Sequence, residues 1–168
     1  ERLGDRVVLE LRLGTGSSAA ALLVQDEQAG QQRVLKVALH PDREAALDDE
    51  AAVLSALRHP SIVELYETVR LHDRTALVLQ WASGGTLSAR LREDGPLSLE
   101  WLERFGADLL EALRQLEREG YLHRDVNPEN LGLVPVGKND ALHLVLFDFS
   151  LSRADPTAVR AGQPQYIC

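Results

Sequence analysis

The sequence predicts an α+β protein in two parts, with strands before residue 82 and helices after it. Apolar runs of strand length alternate with turn signals through the first 81 residues. Ser83-Gly84-Gly85 interrupts this pattern, and apolar residues beyond the break recur every three or four positions, as they do in helices. We therefore expect one domain over residues 1–82 and a second over residues 83–168.

The first part is predicted to hold five antiparallel strands and one helix. The strands are expected at residues 6–13, 19–24, 33–39, 62–69 and 75–81. Pro41-Asp42 is a helix start signal and His59-Pro60 a stop signal, so the helix lies between them. In the run Asp48-Asp49-Glu50, only Glu50 is expected to face inward.

The second part is predicted to be mainly helical. A short helix is expected over residues 86–92, and a longer one begins after Ser98, which can cap it, and ends near Gly120. Its apolar positions are Leu102, Leu109, Leu113 and Leu116. Beyond this helix we expect an apolar stretch at 131–134, a polar insert at 135–140 and a strand over 142–147.

The composition excludes several classes of protein. Of 168 residues, 45% are hydrophobic and 26% charged, which is typical of a globular chain. No apolar run approaches the roughly 18 residues that cross a bilayer, so no membrane role is expected. The net charge of −8 argues against a nucleic-acid partner. Cys168 is the only cysteine, which excludes disulfide scaffolds and structural zinc sites and favours a cytoplasmic location.

Two stretches in the second part carry oxygen-bearing side chains that suit a magnesium ion. Asp125 and Asn130 lie five residues apart in a loop directly after the long helix, and Asp148 follows an apolar strand. Carboxylate and amide oxygens are the ligands that Mg²⁺ prefers. With two of these groups on the cation, the third is left to orient a hydroxyl.

The first part carries residues that suit phosphate groups. Gly14 and Gly16 allow backbone amides to approach an anion closely, and Lys36 offers a point charge. Together with the magnesium ligands, these residues can handle a nucleotide triphosphate.

With these residues in this order, the chain resembles a eukaryotic-type (Hanks-type) serine/threonine protein kinase, a family found also in bacteria. The resemblance rests on Gly14-Thr15-Gly16-Ser17-Ser18-Ala19, Val34-Leu35-Lys36, Glu50, Leu79-Gln80-Trp81-Ala82, His123 to Asn130, and Asp148-Phe149-Ser150. It implies a bilobal kinase fold, with a five-stranded N-lobe plus one helix and a mainly helical C-lobe that is truncated here. The implied activity transfers the γ-phosphate of ATP to a protein Ser/Thr hydroxyl with Mg²⁺ as cofactor.

The resemblance also assigns roles to residues. ATP is bound by Gly14, Thr15, Gly16, Ser17, Ser18, Lys36, Glu50, Gln80 and Ala82. Asp125 and Asn127 stand at catalytic positions, and Asn130 and Asp148 at metal-binding positions. His123 is expected to be a buried residue that supports the loop. The stretches 146–153 and 161–166 are similar to the kinases of phage-growth-limitation and bacteriophage-exclusion defence systems.

Several features depart from the family pattern. Asn127 replaces a lysine that contacts the transferred phosphate, Gln163 replaces a threonine, and Ser150 replaces the glycine of Asp-Phe-Gly. Loss of one preorganised charge contact costs roughly 2.7–4 kcal/mol of transition-state stabilisation, which predicts slow transfer. The chain contains no methionine and stops where the family continues, so the remainder of a longer chain is expected as its partner.

Two alternatives remain open from the sequence. Asn127, Gln163 and Ser150 also fit a pseudokinase, a nucleotide-binding module that regulates or scaffolds without transfer. A small-molecule phosphotransferase of the kinase-like group is the second alternative. His123-Arg124-Asp125 and the segment 162–166, which are protein-kinase features, argue against it.

Overall fold

The computed structural model describes residues 2–3, 6–16, 18–71, 73–137 and 141–152. The chain divides into two compact units. The first contains Glu1–Ser55 and Glu64–Trp81, and the second contains Ala56–Val63 and Ala82–Cys168. The short segment Ala56–Val63 thus belongs to the second unit, although both of its neighbours in sequence belong to the first.

The first unit is built on an antiparallel sheet with the strand order β1-β2-β3-β4-β6-β5. Its strands are β1 (Arg2–Leu3), β2 (Val7–Thr15), β3 (Ala19–Asp26), β4 (Gln31–Ala38), β5 (Leu65–Leu71) and β6 (Arg74–Leu79). The predicted five-stranded sheet is confirmed, and the two-residue β1 extends it beside β2. Strand β4 lies between β3 and β6, so it is hydrogen-bonded on both sides.

The hydrophobic core of the first unit covers one face of this sheet. Leu35 on β4 pairs with Leu22 on β3 and with Val78 on β6. Leu35 and Val78 are buried in one cluster, and Leu22 and Val37 pack against it. Because side chains alternate along a strand, Lys36 lies on the opposite face of β4.

One helix accompanies the sheet. A 3-10 turn at Pro41–Arg43 leads into α1 (Glu44–Ala56). Asp48 and Asp49 are exposed on α1 and Glu50 is buried. The prediction that only Glu50 of this acidic run faces inward is therefore confirmed.

The second unit combines two helices with a hairpin. Its elements are α2 (Leu87–Glu93), α3 (Leu99–Arg118), a 3-10 turn at Pro128–Asn130, β7 (Leu131–Val136) and β8 (Ala141–Leu146). The Ser98 hydroxyl caps α3 as predicted, accepting a hydrogen bond from the Trp101 N–H at 3.4 Å. No helix in the described part of the chain is long and apolar enough to cross a membrane.

Helix α3 packs against β8. It buries Phe105, Ala112 and Leu116, whereas Leu102, predicted to share the apolar face with Leu116, is exposed. Of the other predicted apolar positions, Leu116 is buried and Leu109 and Leu113 are partly buried, so the pattern fails only at Leu102.

Two predicted strand boundaries are wrong. Strand β5 begins at Leu65 rather than at residue 62, because Ile62 bridges Leu146 of β8 and the Val63 N–H donates to the Leu146 carbonyl. Strand β7 extends two residues into the predicted polar insert, ending at Val136, with Pro135 opposite Leu142. Proline is tolerated there because a two-stranded hairpin leaves one edge of each strand without a neighbour in the sheet.

Glycines in the second unit permit one close approach of backbone segments. A Cβ on Gly84 would lie 2.8 Å from the Leu133 carbonyl oxygen, and one on Gly132 would lie 2.6 Å from the Ala82 Cβ. The Gly84 N–H donates to that carbonyl at 2.8 Å, and Gly85 accepts from the Leu133 N–H at 2.9 Å. The predicted break at Ser83-Gly84-Gly85 is therefore a segment that lies directly against β7.

An ion pair links distant strands of the first unit. Arg6 donates to both carboxylate oxygens of Asp26, at 3.0 and 2.6 Å, and also pairs with Glu67 on β5. Asp26 is only 1% exposed and accepts further bonds from the backbone N–H groups of Gln28 and Ala29. The Arg6 hydrogen bonds lower the pKa of Asp26 from its ordinary 3.8 to about 2, against the opposing effect of burial.

This ion pair predicts an acid-sensitive contribution to stability. A depressed carboxyl pKa adds stability that is complete above pH 4 and disappears as the pH falls towards 2. We expect Asp26→Asn to lower the free energy of unfolding at pH 7 by roughly 1–2 kcal/mol, less than the full shift because Arg6 is partly solvated. Urea unfolding between pH 2 and 7 measures this, with the exposed Asp42→Asn as the control. Identical pH profiles for wild type and Asp26→Asn would contradict the assignment.

Candidate functional site

In the first unit, Lys36 and Glu50 form a buried ion pair. Lys36 Nζ lies 2.9 Å from Glu50 Oε1 and 2.7 Å from Oε2, so the ammonium binds both carboxylate oxygens. Glu50 is 1% exposed on α1, and Lys36 is 14% exposed on β4. A carboxylate this deeply buried is tolerated only with a cationic or hydrogen-bonding partner. The pair therefore fixes a cation on the face of the sheet opposite the hydrophobic core.

The glycine-rich turn joins β2 to β3 in the same unit. Gly14 and Thr15 end β2 opposite Ala21 and Ala20, and the Gly16 N–H closes the turn on the Ala19 carbonyl at 2.9 Å. A Cβ on Gly14 would meet nothing within 4 Å, and neither Gly14 nor Gly16 has a positive φ. The fold alone thus does not demand glycine at these positions.

The structure describes one of the two serines in the predicted turn. Ser18 accepts a backbone hydrogen bond from the Leu39 N–H at 3.0 Å, which ties the turn to the end of β4. Ser17 lies outside the described residues.

The predicted adenine-binding residues follow β6. The Gln80 N–H donates to the Glu64 carbonyl at 2.9 Å, and the Gln80 side chain accepts from the Glu64 N–H at 3.3 Å. The Ala82 carbonyl accepts from the Gly85 N–H at 3.0 Å. These bonds fix the backbone at both positions, and the adenine contact stays a prediction.

In the second unit, Asn130 is bound to Asp125. Asn130 Nδ2 donates to the Asp125 carbonyl oxygen at 2.8 Å and to its carboxylate Oδ2 at 3.0 Å. Both partners can only accept, so the amide must present its NH₂ group to them. Asn130 Oδ1 is therefore the atom that can serve a cation.

Asp148 lies next to Asn130 through the backbone. The Phe147 N–H donates to the Asn130 carbonyl at 3.0 Å, which places the residue before Asp148 directly beside Asn130. The described residues contain no group of three or more His, Cys, Asp or Glu side chains that could hold a metal. Amide and carboxylate oxygens suit Mg²⁺, which takes few protein ligands and keeps several waters, so Asn130 and Asp148 have the chemistry to hold it.

His123 is buried and supports the loop, as predicted, and it also binds the stretch that contains Asp148. Its Nδ1 accepts the Asp125 N–H at 3.3 Å, so its Nε2 carries the proton and donates to the Phe147 carbonyl at 2.9 Å. The ring also meets Phe149 edge-on, with centroids 4.8 Å apart. Neutral His123 thus holds the residues on both sides of Asp148.

The backbone at this site is strained in two places. Arg124 and Asp148 have φ values of 66° and 63°, a left-handed conformation that is unfavourable for any residue with a side chain. Such strain costs about 1–3 kcal/mol per residue and clusters at functional sites. Ser150 has no positive φ, so serine in place of the family's glycine is not strained in this way.

Asn127 is held by the backbone of the loop. It is 2% exposed, its Oδ1 accepts the Glu129 N–H at 2.9 Å, and its Nδ2 donates to the Asp125 carbonyl at 3.1 Å. The side chain caps the 3-10 turn at Pro128–Asn130. The cap was not predicted from the sequence, although Asn before Pro is a recognisable turn signal. Gln163, which replaces the family's threonine, lies outside the described residues.

Comparison with known proteins places these residues in a family. Residues 8–167 match the protein kinase domain. The chain is 36% identical to the probable kinase PglW of Streptomyces coelicolor, over 98% of this chain and 12% of the relative. It is 30% identical to the serine/threonine-protein kinase ATG1a of Arabidopsis thaliana, over 99% of this chain and 28% of the relative.

A third relative extends the comparison to animals. The calcium/calmodulin-dependent protein kinase type 1 of Macrobrachium nipponense is 28% identical over 97% of this chain and 49% of its own length. The chain thus spans half or less of the length of these three relatives. The family match covers nearly all of it, and the chain belongs to the protein kinase domain family.

Proposed function

We propose that this chain provides the nucleotide-binding and catalytic residues of a protein serine/threonine kinase that uses ATP and Mg²⁺. The buried Lys36–Glu50 pair is the observation that carries the proposal. An apolar pair of similar volume would stabilise a core at least as well as a buried ion pair. A fixed lysine on an inner strand is better explained by a function, and its ammonium is a suitable point charge for phosphate oxygens.

The remaining roles follow from the chemistry of the side chains. Lys36 binds phosphate oxygens, and the open space over Gly14 allows a ligand to approach the backbone. Asn130 Oδ1 and the Asp148 carboxylate hold Mg²⁺, which when bound neutralises charge on the phosphates. Asp125, fixed by Asn130, orients the acceptor hydroxyl and accepts its proton. Most of the rate enhancement then comes from positioning and electrostatics.

The proposed acceptor is a protein Ser or Thr hydroxyl. Two of the relatives are named as protein kinases, and one of these as a serine/threonine kinase. These names favour a protein substrate over the small-molecule phosphotransferase alternative.

Mg·ATP is expected to raise the melting temperature of the full chain. Ligand at 100 times its Kd adds about 2.7 kcal/mol to the stability of the bound state. Lys36→Ala alone would leave Glu50 buried without its cation, so the informative variant is Lys36→Met/Glu50→Gln, which removes both charges. We expect the Mg·ATP shift to be lost in this double variant.

The matched control for this melt is Lys138→Ala, which removes the other lysine of the sequence. Its shift should equal that of the wild type. An equal shift in Lys36→Met/Glu50→Gln would show that ATP does not depend on the pair and would remove the main support for the proposal.

The pseudokinase alternative is favoured by one observation, the use of buried Asn127 as a cap in place of a cation. If the chain is a slow kinase, Asn127→Lys adds charge stabilisation and should raise kcat by about tenfold or more. The same variant loses the cap, so its melting temperature should fall. Steady-state transfer assays and melts on one preparation measure both effects.

An unchanged kcat in Asn127→Lys, with Mg·ATP still bound, would favour the pseudokinase. Asn127→Ala is the control, because it removes the cap without adding a cation. A rise in kcat for Asn127→Ala as well would mean that the cap, and not the missing charge, limits transfer.

A further inference from the structure

A second polar network lies in the second unit, away from the residues discussed so far. It consists of Asp108 on α3, His143 on β8 and Ser61 in the segment Ala56–Val63. His143 Nδ1 lies 3.2 Å from Asp108 Oδ2, and His143 Nε2 lies 3.2 Å from Ser61 Oγ. The Asp108 carboxylate also accepts the Leu144 N–H at 2.9 Å. We call these three side chains the Ser61–His143–Asp108 relay.

The directions of the hydrogen bonds follow from the partners. His143 Nδ1 lies at ion-pair distance from the Asp108 carboxylate, which can only accept, so this contact favours the tautomer with the proton on Nδ1. In the neutral ring Nε2 is then an acceptor, and the Ser61 hydroxyl donates to it. Ser61 and His143 are thus hydrogen-bonded to each other, and Asp108 lies at ion-pair distance from His143 and accepts the Leu144 N–H.

This order of groups matches a serine nucleophile with its base, but the surroundings do not. Ser61 is 2% exposed, so a substrate has no access to its hydroxyl. Its backbone is fully used, with the N–H donating to His59 Nδ1 at 3.1 Å and the carbonyl accepting the Leu146 N–H at 2.9 Å. The relay therefore serves to hold positions in the fold.

The relay holds β8 directly upstream of Asp148. Leu146 exchanges backbone hydrogen bonds with Ser61 and Val63, and Ile62 bridges Leu146 in parallel. The next residue, Phe147, donates to the Asn130 carbonyl and accepts from His123. The position of Asp148 is thus set by a strand whose middle is tied to α3 and whose end is tied to Ala56–Val63.

We propose that Ser61, His143 and Asp108 are positioning residues that fix the end of β8 and with it the metal-binding side chain of Asp148. Only the metal-binding part of this proposal rests on the proposed function, because the positioning of β8 can be measured without any ligand. It predicts that loss of the relay loosens Leu146 and Phe147 more than the rest of the unit, and that it weakens the response to Mg²⁺.

The first test is amide hydrogen exchange on the full chain without nucleotide. Ser61→Ala and His143→Asn should each speed exchange at the Leu146 and Phe147 N–H groups by about three- to tenfold, the loss expected for one hydrogen bond. His143→Asn keeps a donor near Asp108 but cannot reach Ser61. The double variant Ser61→Ala/His143→Asn should therefore exchange these amides no faster than either single variant. Ser61→Thr, which retains the hydroxyl, should restore the wild-type rate.

Two controls separate positioning from general loss of stability. Ser55→Ala removes an exposed hydroxyl that bonds only within α1, to the Ala51 carbonyl, and should leave β8 unchanged. The Ala112 N–H in α3 reports on the unit as a whole. Equal acceleration at Ala112, Leu146 and Phe147 in Ser61→Ala, or no acceleration at all, would overturn the proposal.

The second test is the Mg²⁺ concentration that gives half of the ATP-dependent rise in melting temperature. Ser61→Ala should raise this concentration by about three- to tenfold, and Ser61→Thr should restore it. An unchanged midpoint despite loosened β8 amides would overturn the link to Asp148. If the wild type shows no Mg·ATP shift but exchange at Leu146 and Phe147 still depends on the relay, the proposed function is rejected. The positioning of β8 by the relay is then still supported.

Discussion

The buried carboxylate of Glu50 imposes the strongest constraint on the first unit. At 1% exposure it needs a cation, and Lys36 supplies one with contacts to both oxygens. To meet it, Lys36 must lie on the face of β4 opposite Leu35, and α1 must present Glu50 rather than its exposed neighbours Asp48 and Asp49. The face of β4 that carries Lys36 and the rotation of α1 are both consistent with this ion pair, whose loss would leave a buried carboxylate without its cation.

In the second unit, buried His123, Asn127 and Asn130 are held by hydrogen bonds to neighbouring backbone and side-chain groups. His123 holds Asp125 and Phe147 as a neutral ring, Asn130 binds Asp125 through its NH₂ group, and Asn127 caps the turn between them. Each bond fixes the direction of the next donor or acceptor, because a carbonyl or carboxylate can only accept. The outcome is a loop whose amide and carboxylate oxygens are oriented before any ligand binds, and the strained φ angles of Arg124 and Asp148 are held by the same contacts.

The short range of sequence patterns explains what they predicted and what they missed. Glu50 and His123 were both predicted to be buried. The signals are local in sequence: helical spacing for Glu50, and a position in a loop rich in polar residues for His123. The start of β5 was misplaced because Ile62 and Val63 bond to Leu146, more than 80 residues away, instead of to β6. Asp108, His143 and Ser61 are unremarkable in their own segments, and only the packing of α3, β8 and Ala56–Val63 brings them together.

The proposal that this chain acts as a protein serine/threonine kinase can be tested by measuring transfer of labelled γ-phosphate from ATP to a Ser/Thr peptide library. The full chain is compared with Asp125→Asn at saturating Mg·ATP, and the labelled amino acids are identified. We expect phosphoserine or phosphothreonine from the wild type, and a loss of about 100-fold or more in the variant, the usual contribution of a positioned base. Binding of Mg·ATP with no transfer, or equal transfer by both proteins, would contradict it.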